Sequence, residues 1–516
     1  MRRRWISTLL VACVAAAAAL VAGCGGGGDS GNVDVGPATA APASAALYID
    51  GTVKPTGQTQ ADAQAALDKV LNTSDPGGKI VSLIEGQAKA EGHPFNFQQD
   101  VAPWLGEKVG FFFTDLTDAQ KGAAVIETTN PSAALAFARK VSGATATNPA
   151  PQSYNGASYQ TEPSDPTTVY GTVRDFLVTG DVEGFKAAVD ADKGDSLGDN
   201  SDFKDSLDQL PSDRLGTFYT VPKTLIDALG PSQIDAQSQA AIEKSAGESL
   251  NKPVSGALTA SADTFELQFI GGDNGVETPE SSLVGDVPAD SWLALGLGNL
   301  GDTAKRTIEQ LKESGVPNLE QGLAQIEQAT GASIDQLTNA LGDAVIYVRG
   351  ESQKSLNGAL VIQTKDPDLT GRLLSQLQTL VRLGSQGTAK PLQLSGGGTG
   401  FQINDPTQTP QPIEIAQQGD KIVIGYGANS VARSLAPAQT LGDSPTFSTA
   451  KGQVSDLGTD LFVDLPKVFQ LAETQGAKSD PGYAQAKPYI DALSYLVSGS
   501  GTKGDQAELK AVVGLK

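Results

Sequence analysis

Sulfur is nearly absent from this 516-residue chain, which contains two cysteines and one methionine. The cysteines are Cys13 and Cys24, and Cys13 lies inside an N-terminal apolar run. No disulfide is therefore expected in the body of the chain, whose stability must come from its packed cores. The single histidine, His93, lies in a loop-like Gly-His-Pro sequence without a serine or acid placed by a motif to partner it. These absences argue against a histidine-based triad and against a metal centre built from His and Cys.

Basic residues are scarce relative to acids, because 37 Lys and Arg oppose 59 Asp and Glu and leave a net charge of −22. A surface of this sign repels phosphate backbones, so we expect no nucleic-acid partner. One acidic segment could offer oxygen ligands to calcium; it contains Asp190, Asp192, Asp195, Asp199 and Asp202. Its spacing departs from the EF-hand pattern, so we interpret it as a solvated loop and predict no metal site.

The N-terminus carries the most specific signal in the chain. Arg2, Arg3 and Arg4 precede an apolar run, which ends in Leu-Val-Ala-Gly before Cys24. This order is typical of a bacterial lipoprotein signal peptide, here residues 1–23, with cleavage before a cysteine that then carries lipid. Two or more acyl chains, such as palmitate, hold a protein stably on a bilayer. We therefore predict a protein anchored through Cys24 to the outer face of the cell membrane, exported by the general or the twin-arginine route.

The rest of the chain reads as two copies of one sequence pattern. Gly122–Pro131 matches Gly358–Pro367, and the collinear pairs around it are Leu105 with Leu341, Phe203 with Phe447, and Pro222 with Pro466. Matches whose offset drifts by a few residues are what diverged copies with loop insertions produce. The predicted organisation after the leader is a flexible Gly/Ala/Pro-rich tether over 24–42, a first repeat over 43–272, a linker over 273–287 and a second repeat over 288–516.

The pattern within each repeat predicts an α+β fold with a mostly antiparallel sheet and helices packed on one of its faces. Short apolar or alternating runs predict strands over 109–113, 123–127, 168–173, 176–179, 345–348, 359–363 and 422–424. Helices are predicted over 132–141 and 369–383, each after an Asn-Pro or Asp-Pro cap. Apolar spacing predicts two more, at Leu319–Ile326 and Ile334–Leu341, and Ser333 with Gln336 forms a capping box before the second.

The lipoprotein leader, the doubled Pro-Ala openings at Pro42 and Pro288, and the paired strand–Pro–helix blocks resemble an uncharacterised family of secreted lipoproteins. That family is known as domain of unknown function 3352. The resemblance spans nearly all of the chain after the leader and implies an extracytoplasmic location. It implies no activity and no functional residues.

Two motifs suggest chemistry on first inspection. Gly296–Gly301 spells G-x-G-x-x-G between an apparent strand and a helix, which is the context of a dinucleotide site. The following stretch is helical instead of a second parallel strand, and the first repeat lacks the glycines, so we predict a strand-to-helix turn and no cofactor. Ser448 and Lys451 match the S-x-x-K of penicillin-recognising enzymes, but the remaining elements of that site are missing. Trp104 and the aromatic run Phe111–Phe113 are interpreted as core, with a pocket lining as the alternative.

The sequence therefore predicts a membrane-anchored, non-catalytic lipoprotein that binds a ligand or another protein of the cell envelope, with no catalytic residues assigned. Two alternatives remain open at this point. One is an envelope hydrolase with a Ser/carboxylate site, and the other is a carrier of apolar cargo.

Overall fold

The structure is a computed structural model, and it describes residues 35–117, 121–272, 280–313, 316, 318–384, 388–405 and 407–516. The chain divides into two compact units. The first holds the residues up to Asn274 together with Asp505–Glu508, and the second holds Gly275–Gly504 and Leu509–Lys516. None of the helices in the described ranges combines the length and the apolar content that crossing a bilayer requires.

The first unit is built on an antiparallel sheet in which β1 is a central strand. The strands within its described residues are β1 Leu47–Thr52, β2 Leu105–Asp115, β3 Lys121–Thr128, β4 Gln152–Tyr154, β5 Ala157–Thr161, β6 Thr168–Val173, β7 Phe176–Asp181, β8 Gly216–Thr220, β9 Val254–Ala260 and β10 Thr264–Gly271. They pair in the order 4-5-6-7-3-2-1-8-9-10, and each of these pairs is antiparallel.

The second unit contains a sheet of the same strand order. Its strands, in chain order, are β11 Ser291–Leu297, β12 Leu341–Arg349, β13 Asn357–Thr364, β14 Ala389–Pro391, β15 Thr399–Ile403, β16 Ile413–Gln418, β17 Lys421–Tyr426, β18 Gly458–Asp464, β19 Leu493–Lys503 and β20 Gln506–Leu515. They pair in the order 14-15-16-17-13-12-11-18-19-20. Adding ten to each strand number of the first sheet therefore gives the second. The predicted α+β class with a mostly antiparallel sheet is confirmed.

Helices fill the connections between the strands. Those of the first unit are α1 Gly57–Leu71, α2 Pro76–Ala90, α3 Phe97–Asp100, α4 Pro131–Ser142, α5 Val182–Ala191, α6 Ser201–Asp208, α7 Pro222–Ala228, α8 Gly230–Gln233 and α9 Ala236–Ala246. Those of the second are α10 Leu300–Glu313, α11 Leu319–Thr330, α12 Ile334–Asn339, α13 Pro367–Gly384, α14 Ser430–Leu435, α15 Pro445–Gln453, α16 Leu465–Thr474 and α17 Pro481–Ile490. Short 3-10 turns occur at Gly36–Ala40, Leu197–Asp199, Val284–Asp286 and Leu441–Asp443.

Both faces of the first sheet are covered around β3 and β7, which corrects the expectation of helices on one face. Val125 and Val178 belong to one core cluster, while their neighbours Ile126 and Leu177 belong to a second. Successive side chains of a strand point to opposite faces of the sheet, so the two clusters lie on opposite sides. Both faces of β3 and β7 are apolar, which is why neither strand shows the alternation of a half-exposed strand.

In the second unit one sheet face is packed and the other is partly open. The packed side holds a core cluster that includes Tyr347, Phe447 and Phe462. On the other side the strand register aligns six aliphatic side chains in one row, namely Leu461, Leu295, Ile346, Leu360, Ile424 and Ile415. None of the six is fully buried, and Ile424 is 41% exposed. We call these six residues the aliphatic row.

Segments that composition assigns to a tether and a linker are partly built into the cores. From Val35 onward, the predicted tether forms a 3-10 turn in which Ala38 and Ala40 are fully buried. From Glu280 onward, the predicted linker forms a similar turn and buries Val284. Alanine and glycine indicate a flexible segment by composition, but their small side chains also allow close packing against a sheet.

The individual element predictions are confirmed with one exception. The capping box of Ser333 and Gln336 begins α12 as expected, with Ser333 Oγ accepting from the backbone N–H of Gln336 at 3.2 Å. The assignment of Leu341 to that helix is wrong, because α12 ends at Asn339 and Leu341 begins β12. An apolar residue at helical spacing cannot be distinguished from the first residue of a strand by periodicity alone.

Candidate functional site

The predicted lipidation site, Cys24, lies outside the described residues, together with the whole leader. His93 is partly exposed between α2 and α3, and its backbone amide donates to Ala88 O at 2.8 Å.

The glycine motif at Gly296–Gly301 forms a strand-to-helix turn between β11 and α10. Packing explains two of its three glycines: a Cβ on Gly296 would lie 2.6 Å from the Val284 side chain, and one on Gly301 would lie 2.2 Å from Thr338 O. The next strand, β12, runs antiparallel to β11, whereas a dinucleotide fingerprint requires a parallel neighbour.

Ser448 and Lys451 are both exposed on α15. An activated nucleophile needs a base within hydrogen-bonding distance and a cavity that excludes water. The exposed face of α15 does not provide the enclosed site that the S-x-x-K chemistry needs.

The acidic segment distributes its carboxylates among separate partners. Asp190 accepts from Tyr154 Oη at 2.8 Å, Asp192 pairs with Arg174, and Asp199 accepts from Ser196 Oγ at 2.6 Å. Across the described part of the chain, no group of three or more His, Cys, Asp or Glu side chains is arranged to hold a metal ion.

Trp104 belongs to the core of the first unit, as interpreted from the sequence. The indole is 2% exposed, donates from Nε1 to Asp100 O at 2.6 Å, and packs 5.6 Å from the Phe137 ring centre. Phe112 is fully buried, whereas Phe111 and Phe113 are partly buried.

The feature best suited to binding is an open cleft in the second unit, with a volume of about 440 Å³. It lies where the end of β12 and the beginnings of β11 and β13 meet the helices α14 and α16. We call it the basic cleft and define it by Trp292, Arg349, Lys354, Asn357, Arg433 and Lys467. Four of these six residues are cationic, and the acids in the lining are Asp290 and Glu351.

Two of the four cations are paired with carboxylates. Arg349 donates two hydrogen bonds to the Asp290 carboxylate, from Nε to Oδ1 at 2.7 Å and from Nη2 to Oδ2. This bond holds the pKa of the Asp290 carboxyl below its usual range. Lys467 pairs with Asp464 at 2.9 Å. Lys354 and Arg433 are exposed and form no ion pair with any residue in the described ranges, although the charge of Arg433 also helps to lower the pKa of Asp290.

Neutral groups complete the cleft wall. Trp292 is half-buried and donates from Nε1 to Gly350 O at 3.1 Å. Asn357 is 6% exposed and donates from Nδ2 to Ala428 O at 3.2 Å, while its Oδ1 has no donor among the described residues. Gly427, at φ +95°, allows this amide to fit, because a Cβ there would lie 2.6 Å from Asn357 Nδ2.

Sequence reasoning missed the basic cleft because it searched for features that the two repeats share. The strand alignment places Ser44 and Thr114 of the first unit opposite Asp290 and Arg349, so this ion pair belongs to the second unit only. The available signal was the occurrence of Arg349, Lys354 and Arg433 in a chain of net charge −22.

The cleft contains the groups for binding an anion but lacks an activated nucleophile. Ser355 is the hydroxyl in its lining, and its Oγ bonds to groups of Glu351 and Ser352 in the same turn. None of these groups is a base that could remove its proton. Arginine and lysine around an open cleft are typical of recognition of an anionic ligand.

Fold and cleft together define an α+β protein with two sheet-based units and a cleft lined by cations. The sequence matches the family described as "Protein of unknown function (DUF3352)" over residues 10–498, so the chain belongs to that family. No curated protein sequence matches it significantly. Among solved structures it is similar to "Structure of crystal form I of TP0453", at 10% identity over 78% of this chain and 98% of that chain, with a TM-score of 0.15.

Proposed function

We propose that this protein is a lipid-anchored, extracytoplasmic, non-catalytic binding protein, and that the basic cleft of its second unit is the ligand site. The observation that carries the binding role is the cleft itself, where two unpaired cations and a half-buried tryptophan line one open volume. The leader, which ends at Gly23 before Cys24, supports the anchored location.

We further propose that the two units are diverged copies of one domain. Their strands follow the same order, and equivalent bridges occur at Pro42 with Ser196 and at Pro288 with Thr440. In both units a Leu-Gly-Asp turn follows the bridge, at Leu197 and Leu441. The basic cleft is then a feature that one copy acquired after the duplication.

Metabolic labelling tests the anchor. Cells expressing the protein and given a fatty-acid probe should label it, and Cys24→Ala should abolish the label because the acyl-bearing thiol is gone. Cys13→Ala is the matched control and should label normally, since that cysteine leaves with the leader. Equal labelling of wild type and Cys24→Ala would show that the anchor assignment is wrong.

A second candidate function, a carrier of apolar cargo, is favoured by the aliphatic row. Six partly exposed Leu and Ile side chains in one line across a sheet present an apolar strip to which an acyl chain could bind. The basic cleft does not suit such cargo, because apolar atoms would take water away from its charged groups without replacing the hydrogen bonds.

A further inference from the structure

We infer that the ligand of the basic cleft is a small organic phosphate, meaning a single phosphate group carried on a sugar or another hydroxyl-bearing carbon skeleton. The inference rests on the proposed binding role of the cleft and specifies the chemical class of its ligand.

The cations of the cleft favour a ligand with several anionic oxygens. Asp290 and Asp464 pair with Arg349 and Lys467. Glu351 is the remaining acid of the lining, and Lys354 and Arg433 form no ion pair in the described ranges. A phosphate monoester carries close to two negative charges on three oxygens, so one group can accept hydrogen bonds from Lys354 and Arg433 together. A carboxylate has fewer oxygens and a single charge. Arg433 adds a planar fork of donors that matches two phosphate oxygens at once.

The neutral lining sets the remainder of the ligand. A volume of about 440 Å³ exceeds what a phosphate ion fills, so part of the cleft is available to a carbon skeleton. Trp292 offers an aromatic surface for the C–H face of a sugar or polyol, and Asn357 and Gln411 offer amide groups for its hydroxyls.

Asn357 has an unsatisfied acceptor that a hydroxyl group would complete. Its Oδ1 is buried without a donor, which is costly for a polar atom. Asn357 lines the cleft, so a small rotation of its amide would bring Oδ1 within reach of a ligand hydroxyl. A skeleton with hydroxyl groups is therefore preferred over an apolar one.

The overall charge favours a single phosphate. The chain as a whole carries a net charge of −22, so a polyphosphate chain or nucleic acid that reached beyond the cleft would be repelled by the acidic surface. A lone phosphate group stays within the cationic region. A soluble sugar phosphate and the headgroup of a phosphoinositide-type lipid share this chemistry, and the experiment separates them.

Acrylamide quenching of tryptophan fluorescence reports occupancy, because Trp292 is half-exposed at the cleft while Trp104 is buried. With the full-length Trp5→Phe protein, in which Trp104 and Trp292 are the two remaining tryptophans, glucose 6-phosphate, glycerol 3-phosphate and inositol 1-phosphate serve as probes, next to inorganic phosphate and uncharged glucose. At least one organic phosphate should reduce the quenching of Trp292, and should do so at a lower concentration than inorganic phosphate. Glucose should leave the quenching unchanged. Trp292→Phe should remove the signal. Vesicles of phosphatidylcholine with and without phosphatidylinositol then test the lipid headgroup as the source.

Arg433→Gln and Lys354→Gln should each weaken binding of the protective phosphate by about tenfold, the value of one charge-assisted hydrogen bond. Arg372→Gln is the matched control, because Arg372 is exposed on α13, away from the cleft, and the charge change is the same. Circular dichroism verifies that all three variants fold.

The outcomes separate the two proposals. If glucose protects Trp292 equally in wild type and Arg433→Gln, the cleft binds ligand but the phosphate class is wrong. If none of the organic phosphates protects it, the inference is overturned. The lipid anchor is tested independently by labelling of Cys24.

Discussion

Asp50, within β1, is an ionisable residue whose negative charge destabilises the fold of the first unit. It accepts from Tyr48 Oη at 3.0 Å and from the Thr217 hydroxyl, and it lines a second pocket of about 420 Å³. Burial raises the pKa of its carboxyl, although Lys108 and Arg214 act in the opposite direction. The ionised form is therefore less stable in the fold than in the unfolded chain.

Asp50→Asn should raise the free energy of unfolding at neutral pH, because the amide keeps the shape and an acceptor but carries no charge. One pKa unit corresponds to about 1.4 kcal/mol. The native pKa lies above the unfolded value of 3.8, so the gain is full above the native pKa and disappears as the pH falls to 3.8 and below. Urea unfolding between pH 3 and 8 measures it. A variant that loses stability at pH 7 would indicate that the Lys108 and Arg214 attractions outweigh the burial.

At this scale the sequence predicted buried aromatics but not the residues of the basic cleft. Trp104 is flanked by apolar residues, and its burial followed from that setting. Arg349, Lys354 and Arg433 lie on different segments, and β12, β13 and α14 bring them together only through the sheet order. No local spacing records such a convergence.

At the scale of elements, the strands that were predicted lie on alternating or continuous apolar runs, and the helices α4 and α13 were predicted from a cap followed by a proline. The helices α1 and α2 were missed. α1 buries only Ala63 and Ala66, so its apolar periodicity is weak, and tertiary packing instead of pattern determines where it lies.

The aliphatic row allows the apolar-cargo alternative to be tested with one substitution, on β17. Ile424→Ser should lower the affinity for a fluorescent fatty acid if the row binds acyl chains, with a small effect on stability because the side chain is 41% exposed. Leu83→Ser on α2 is the matched control, since Leu83 is 54% exposed in the first unit. Unchanged fatty-acid binding by Ile424→Ser would argue against the carrier function.

At the scale of the whole molecule, each unit has its own core, and a buried phenylalanine of each core can be compared between the units. Phe203 is fully buried and makes an edge contact with Tyr219 at 5.0 Å between ring centres. Phe447 is 3% exposed and makes an edge contact with Phe462 at 5.2 Å. The sequence matches between the units are concentrated at such core and turn positions.

Phe203→Ala and Phe447→Ala should each cost about 3–5 kcal/mol in the unit that contains the residue. If the units unfold separately, calorimetry should show two transitions, with a different one shifted in each variant. A common shift of one transition in both variants would show that the chain unfolds as a single cooperative body.

The central position of the first strand has a consequence for folding kinetics. Tyr48 of β1 pairs with Phe112 on one side and with Tyr219 on the other, so the sheet joins the beginning of the unit to a segment near its end. Ala294 of β11 pairs in the same way with Tyr347 and with Phe462. Contacts so distant in sequence form slowly, since a long loop must close before the pairing is gained. During synthesis neither sheet can close until most of its unit has left the ribosome, a delay that would suit the export proposed above, which requires an unfolded chain.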